Sequence, residues 1–190
     1  MKNDLALYEQ HRPKMGSGDI VAFQGNDVGA WLIRFGTGSL YSHVGLVIRV
    51  SAVDVDRVFI AESVLGAGVV LVPLSRKLET YRGKAWWLPL KIREFSLTED
   101  SEAKRKINEV HKWAMQELGK PYDLKLIRSL LRYLLRRLIQ PTSDAERYIC
   151  SEFVVAGLKN CGLLPAGFAA TLTPKEVCDL PTFTAPQAVI

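Results

Sequence analysis

An α+β domain is what the 190-residue sequence predicts: a small antiparallel sheet or barrel packed on helices. Three observations predict it. Short apolar runs of strand length, set off by turn residues, crowd the first half. After residue 100 apolar residues recur at helical spacing instead. No repeat or low-complexity linker divides the chain, so 1–190 reads as a single domain with its core over about 18–180.

The elements follow in order. "DIVAF", 19–23, is a short strand after the turn-like "MGSG", and "GAWLIRFGTGS" is a helical turn ended by Gly36 and Gly38. In "HVGLVIRV", 43–50, Val44, Leu46, Ile48 and Val50 alternate with His43, Gly45, Val47 and Arg49, as in a strand. "RVFIAES", 57–63, and "GVVLVPL", 68–74, are further strands. "KAWWLPLK", 84–91, is a fourth partner that Pro89 places at an edge or ends. Ser96 and Glu99 have the spacing of a capping box, and Ile107, Val110, Ala114 and Leu118 mark a helix stopped by Gly119 and Pro121. A basic helical insertion covers about 124–140. "QPTSDAER", 140–147, reads as a loop, and Cys150 opens the next helix. "TPKEV" leads a short helix into Cys178, the N-terminal segment with His11 reads as mobile, and "TFTAPQAVI" reads as a tail over the surface.

Bulk properties narrow the function. Hydrophobic residues at 48% and charged residues at 24% are an ordinary globular balance. The net charge of +5 equals the five positive residues Lys125, Arg128, Arg132, Arg136 and Arg137, which lie in one acid-free stretch. The basicity is thus a local patch, and no nucleic-acid partner is expected. No stretch approaches a membrane span and the N-terminus has no apolar signal core, so the expectation is a cytoplasmic protein, possible contact with a membrane surface included. Three cysteines without a CxxC pair argue against a disulfide framework or a zinc knuckle. With no GxxxxGK[ST], no HExxH and only a lone "GTG" at 36–38, neither cofactor nor metal is expected.

Cys150 carries the sharpest question. At a helix start its thiolate would be favoured by the helix dipole; a buried structural cysteine is the competing reading. Cys161, at a helix end, and Cys178 read as structural. A nucleophile needs a base, and His43 faces Glu62 across a hairpin if Val50 faces Val55; a register shifted by two leaves them diagonal neighbours on one face. A carboxylate there would fix the His43 tautomer and leave its other nitrogen for a thiol. Strand-end residues without a role are the plainer reading of both. His111 shares a face with Ile107, Ala114 and Leu118 and reads as a core-edge histidine. Tyr122, in "LGKPYD", is either an oxyanion donor or a packing residue.

"GDIVAF", "FGTGSLYSHVGLVI", "FIAES", "LGKPYD" and "YICSEFV" together resemble the NlpC-like branch of the papain-fold superfamily, and more narrowly its circularly permuted, YiiX-like members. Here the histidine strand comes first and the cysteine segment last. The resemblance covers most of 18–160. It implies a papain-like half-barrel with Cys150 as nucleophile, His43 as general base and Glu62 as third polar residue. Tyr122 would lie beside the site and the Cys150 N–H would serve as an oxyanion donor. The implied reaction is thiolate attack on an acyl carbon, forming an acyl-enzyme. Three functions are then open: a cysteine hydrolase of an amide, peptide or related acyl bond; a lipid acyltransferase or hydrolase of the lecithin:retinol type; and a catalytically silent binding module. In the insertion, Leu124, Ile127, Leu131, Leu134 and Leu138 form an apolar stripe beside Arg128, Arg132 and Arg136. The plainer reading of that pattern is a helix packed over the domain with its arginines in water; it also suits a lid over the site or a contact with anionic lipid or an acidic partner.

Overall fold

The computed structural model describes residues 2–27, 30, 31, 34, 38–64, 67–95, 102–120, 143–169 and 172–190. The Ser96–Glu99 capping box, Tyr122, and the basic segment with Lys125, Arg128, Arg132, Arg136 and Arg137 lie outside these residues.

Six strands form one antiparallel sheet: β1 (Ile20–Gly25), β2 (His43–Ala52), β3 (Val55–Val64), β4 (Gly68–Pro73), β5 (Gly83–Leu88) and β6 (Gln187–Ala188). Their spatial order is β4-β3-β2-β1-β5-β6. Both faces are covered. On one face Ile20, Ala22, Val44, Leu46, Ile48 and Ala61 pack with α3 (Glu102–Glu117) and α4 (Ser143–Asn160), which bring Val110, Ala114, Phe153, Val154 and Leu158. On the other, Val21, Phe23, Val47, Ile60 and Trp87 pack with α1 (Ala6–His11) and α2 (Leu74–Thr80) through Tyr8, Leu74 and Leu78. The period of two in β1 and β2 therefore sorts side chains between two apolar layers, which is why Val47 is as buried as Val44.

The helices approach the sheet closely. Gly157 lets α4 meet α3, since a Cβ there would lie 2.6 Å from the Trp113 ring. Trp113 in turn stacks on Phe153, with ring centroids 5.0 Å apart. Among the described residues no helix is long and apolar enough to cross a membrane.

One open alternative is decided and three sequence expectations change. The β2–β3 hairpin turns through two residues, Val53 and Asp54, so Val50 pairs with Arg57 and the register is shifted by two from the Val50–Val55 pairing. Asp54 makes this tight turn by taking a φ of 65°, a left-handed conformation that Asp tolerates. The segment 140–147 is not all loop: α4 starts at Ser143. Cys150 therefore lies well inside a helix and does not open one. The N-terminal segment is folded, since Tyr8 in α1 is buried and the His11 ring sits 5.5 Å from that of Trp87. The C-terminal stretch is not a surface tail either. Trp86 pairs with Ala188 and Trp87 with Gln187, and Val189 is fully buried. Pro89 ends β5, as expected, but β5 lies inside the sheet because β6 covers its outer edge.

Candidate active site

The site forms at the sheet end where β2 begins. Ser42, just before it, donates its N–H to the Phe23 carbonyl at 2.8 Å, and its hydroxyl accepts from the Gly25 N–H at 3.1 Å. Phe23 is also the β1 partner of His43. These bonds fix where β2 starts and so where the imidazole stands.

Glu62 comes from β3, which is held on its far side by the Glu62–Val70 pairing with β4. Continued one step past Leu46–Ala61, the hairpin register sets Gly45 opposite Glu62 and leaves His43 diagonal to it. Gly45 has no side chain to stand between them. The imidazole leans across, and His43 Nε2 donates to Glu62 Oε2 at 2.7 Å.

Cys150 reaches the same point from α4 on the opposite face, fully buried. Its thiol is hydrogen-bonded to His43 and to the Val44 backbone, and Sγ lies 4.0 Å from Ser151 Oγ. With Nε2 committed to Glu62, Nδ1 is the ring nitrogen left for sulfur. A fourth residue, which the sequence reading missed, completes the row. Lys77 of α2 places its ammonium on both Glu62 oxygens and 4.8 Å above the Phe23 ring centroid. The sequence signal was a lysine on an apolar helix face, between Leu74 and Leu78.

Charge alternates along the row Lys77, Glu62, His43, Cys150, and each proton affinity answers to its neighbours. Burial opposes a charged thiolate at Cys150, but the His43 imidazolium outweighs it and holds the thiol below its usual range. Burial likewise opposes charge on His43, but the Cys150 thiolate and the Glu62 carboxylate raise its pKa to about 9. Glu62 loses water on burial, yet His43 and Lys77 depress it to about 2. The helix dipole contributes little to this, because Cys150 sits beyond the first turn of α4. For the same reason the Cys150 N–H belongs to the helical ladder and is not an open oxyanion donor. Cys161 and Cys178 behave oppositely: burial pushes both thiols up, Cys161 to about 11. His111 sits half-buried on α3, away from this row. A separate polar cleft of about 410 Å³ lies by the hairpin turn, lined by Tyr8, Arg12, Asp56, Arg57 and Ser75 among others, and includes none of the four.

No protein-family model matches the chain, and no curated protein sequence matches it. Among solved structures, the crystal structure of metalloprotein yiiX from Escherichia coli O157:H7 is similar to it. The TM-score is 0.60 at 19% sequence identity, over 92% of this chain and 97% of that one. The chain has that α+β, permuted papain-like fold. Among the described residues no three His, Cys, Asp or Glu side chains are gathered as a metal site requires. At Glu62 the Lys77 ammonium stands where a cation would bind, so this row does not fit a metal.

Proposed function

We propose that the protein is a cysteine hydrolase of the permuted NlpC-like papain type, cleaving an amide, peptide or related acyl bond. One observation carries the reading: His43 is held through Nε2 by Glu62 at 2.7 Å and turned by its other nitrogen to a thiol whose pKa it lowers. Nucleophile, base and orienter stand in the relation that activates a thiol.

The chemistry follows. The Cys150 thiolate attacks the acyl carbon and forms an S–C bond. The bond to the leaving nitrogen or oxygen breaks, and the leaving group takes the proton held at His43 Nδ1. A water then gives a proton back to His43 and its hydroxyl to the thioester carbon; the C–S bond breaks, releasing the carboxylic acid and restoring the thiolate–imidazolium pair. Glu62 keeps the ring oriented and balances its charge throughout. Lipid acyl transfer by the same thiol is a second reading, favoured by the basic amphipathic pattern of 124–140; there an acceptor hydroxyl or amine replaces the water. Binding to anionic vesicles that is lost when Lys125, Arg128, Arg132, Arg136 and Arg137 are neutralised would favour it over the first.

The test is alkylation of each cysteine by a small reagent against pH, read by mass spectrometry, in wild type and His43→Ala. The expected result is that Cys150 reacts well below the free-thiol value of about 8.5, ahead of Cys161 and Cys178, and loses this lead without His43. Cys150 as inert as the other two would overturn the hydrolase reading and point to a silent binding module.

A further inference from the structure

We propose that Lys77 is a positioning residue for this site: its ammonium, seated on both oxygens of Glu62 and against the Phe23 ring, keeps that carboxylate charged and aimed at His43 Nε2. The inference rests on the nucleophile reading above and extends it by one residue.

The geometry carries it. A lysine fixed in place loses most of its rotamer freedom, so most stay in water. Lys77 is instead only 18% exposed and its Glu62 partner 4%. It lies on the buried stripe of α2, between Leu74 and Leu78, both fully covered. Phe23, whose ring the ammonium faces, is the β1 partner of His43 and lies 5.9 Å from the imidazole. Lys77 thus contacts two of the groups that set the imidazole's position.

The electrical consequence is specific. A carboxylate as buried as Glu62 takes up a proton readily unless a cation stands beside it. A protonated Glu62 would no longer draw the Nε2–H, and His43 would lose the charge that supports its imidazolium. The thiolate would weaken in turn, although Lys77 never touches it. Among the described residues, the titratable groups facing Glu62 are His43 from β2, Lys77 from α2, and Tyr81, which follows α2 and interacts with it electrostatically. Beyond His43 stands Cys150 from α4. Tyr81 is pushed up to about 12 by burial and stays neutral while the others titrate, so Lys77 is the one cation among these groups besides His43 itself.

The experiment is the pH profile of Cys150 alkylation in Lys77→Met, Lys77→Gln and Lys77→Arg, each alone and with Glu62→Gln, with thermal unfolding run beside it. Both neutral variants are expected to move the acid limb of the profile up by about one pH unit. That is a tenfold slower reaction below the wild-type midpoint. Arg should restore the wild-type profile. In the Glu62→Gln background the neutral variants should add nothing, because their effect passes through that carboxylate. A lysine that only supports the fold would lower the melting temperature without moving the profile. That result overturns the inference, as does an additive shift in the Glu62→Gln background. If one neutral variant fails to fold, the other and the Arg variant carry the same comparison. Wild-type Cys150 with a profile no different from His43→Ala would instead remove the nucleophile reading itself, so the two failures are distinct.

Discussion

His43 meets Glu62, Nε2 to Oε2 at 2.7 Å, just beyond Leu46–Ala61, the last pair of the β2–β3 ladder; carried one step further, that register would set Gly45 opposite Glu62 and His43 on its diagonal. Directly facing side chains in such a ladder keep a fixed separation. The diagonal contact needs one side chain to lean, and the glycine leaves room for it. The ring that leans is the one whose other nitrogen meets Cys150.

The first prediction concerns pH. His43 is raised from 6.5 to about 9, so its imidazolium is fully present at low pH and is lost as pH rises through about 9. Cys150 is lowered from 9.0, so its thiolate is present above that value and is lost only as pH falls through the depressed one. The ion pair therefore occupies the window between the two. Hydrolysis of an activated acyl substrate should give a bell-shaped profile with its alkaline limb near 9. His43→Ala should lower the rate by roughly 10²–10⁴-fold. A rate that keeps climbing beyond pH 10 in the wild type would show that no imidazolium takes part.

Glu62 gives a stability prediction. Its carboxyl is depressed from 4.5 to about 2, so its contribution is fully present above pH 4.5 and is lost as pH falls toward 2. Glu62→Gln removes that contribution at neutral pH and leaves Lys77 without its anion. We expect roughly 3 kcal/mol of destabilisation at pH 7. Chemical denaturation should also show a smaller loss of stability between pH 4.5 and 2 than in wild type. Equal slopes in that range would mean that Glu62 is not the group that titrates.

The other two cysteines should be silent. Cys178 is pushed upward by burial and the nearby Asp179 charge, and Cys161 is raised to about 11. Cys161→Ala and Cys178→Ala should each cost about 1 kcal/mol of stability. Neither should change the Cys150 alkylation profile. A shift in that profile in Cys178→Ala would place this residue in the site and not only in the core.

What could be read from the sequence was local. Residues 43–50 and 57–63 announced their strands by alternation, and the hairpin between them followed. The one-face relation of His43 and Glu62 survived the register shift because a shift of two preserves faces. The shift itself depended on whether Asp54 would take a left-handed φ, which composition does not decide. Cys150 looks like a helix opener because the composition of "SDAER" suits a loop, though Ser143 and Asp144 are residues that favour helix starts. Lys77 and β6 were out of reach for another reason. The first depends on where α2 lies over the sheet, and the second on pairing of the C-terminal residues with the mid-chain strand β5, which no local pattern records.

That long-range pairing supplies the last prediction. Val189 follows a strand of two residues, yet it is fully buried with Ala85, Trp87 and Leu78 in the layer beneath α2. The Val189 N–H donates to the Ala85 carbonyl at 2.9 Å, and the Ala85 N–H to the Ile190 carbonyl at 3.4 Å. Val189→Ala should cost roughly 2 kcal/mol through lost burial and the space left behind. For a chain of this size that lowers the melting temperature by about 4–8 °C. Removing 187–190 should cost more, since it also uncovers the β5 edge and leaves Trp87 less enclosed. Because α2 stands on the same layer and carries Lys77, the truncated chain should lose Cys150 reactivity as well as stability. A truncation that melts earlier but keeps the wild-type alkylation profile would show that the C-terminal strand supports the fold without supporting the site.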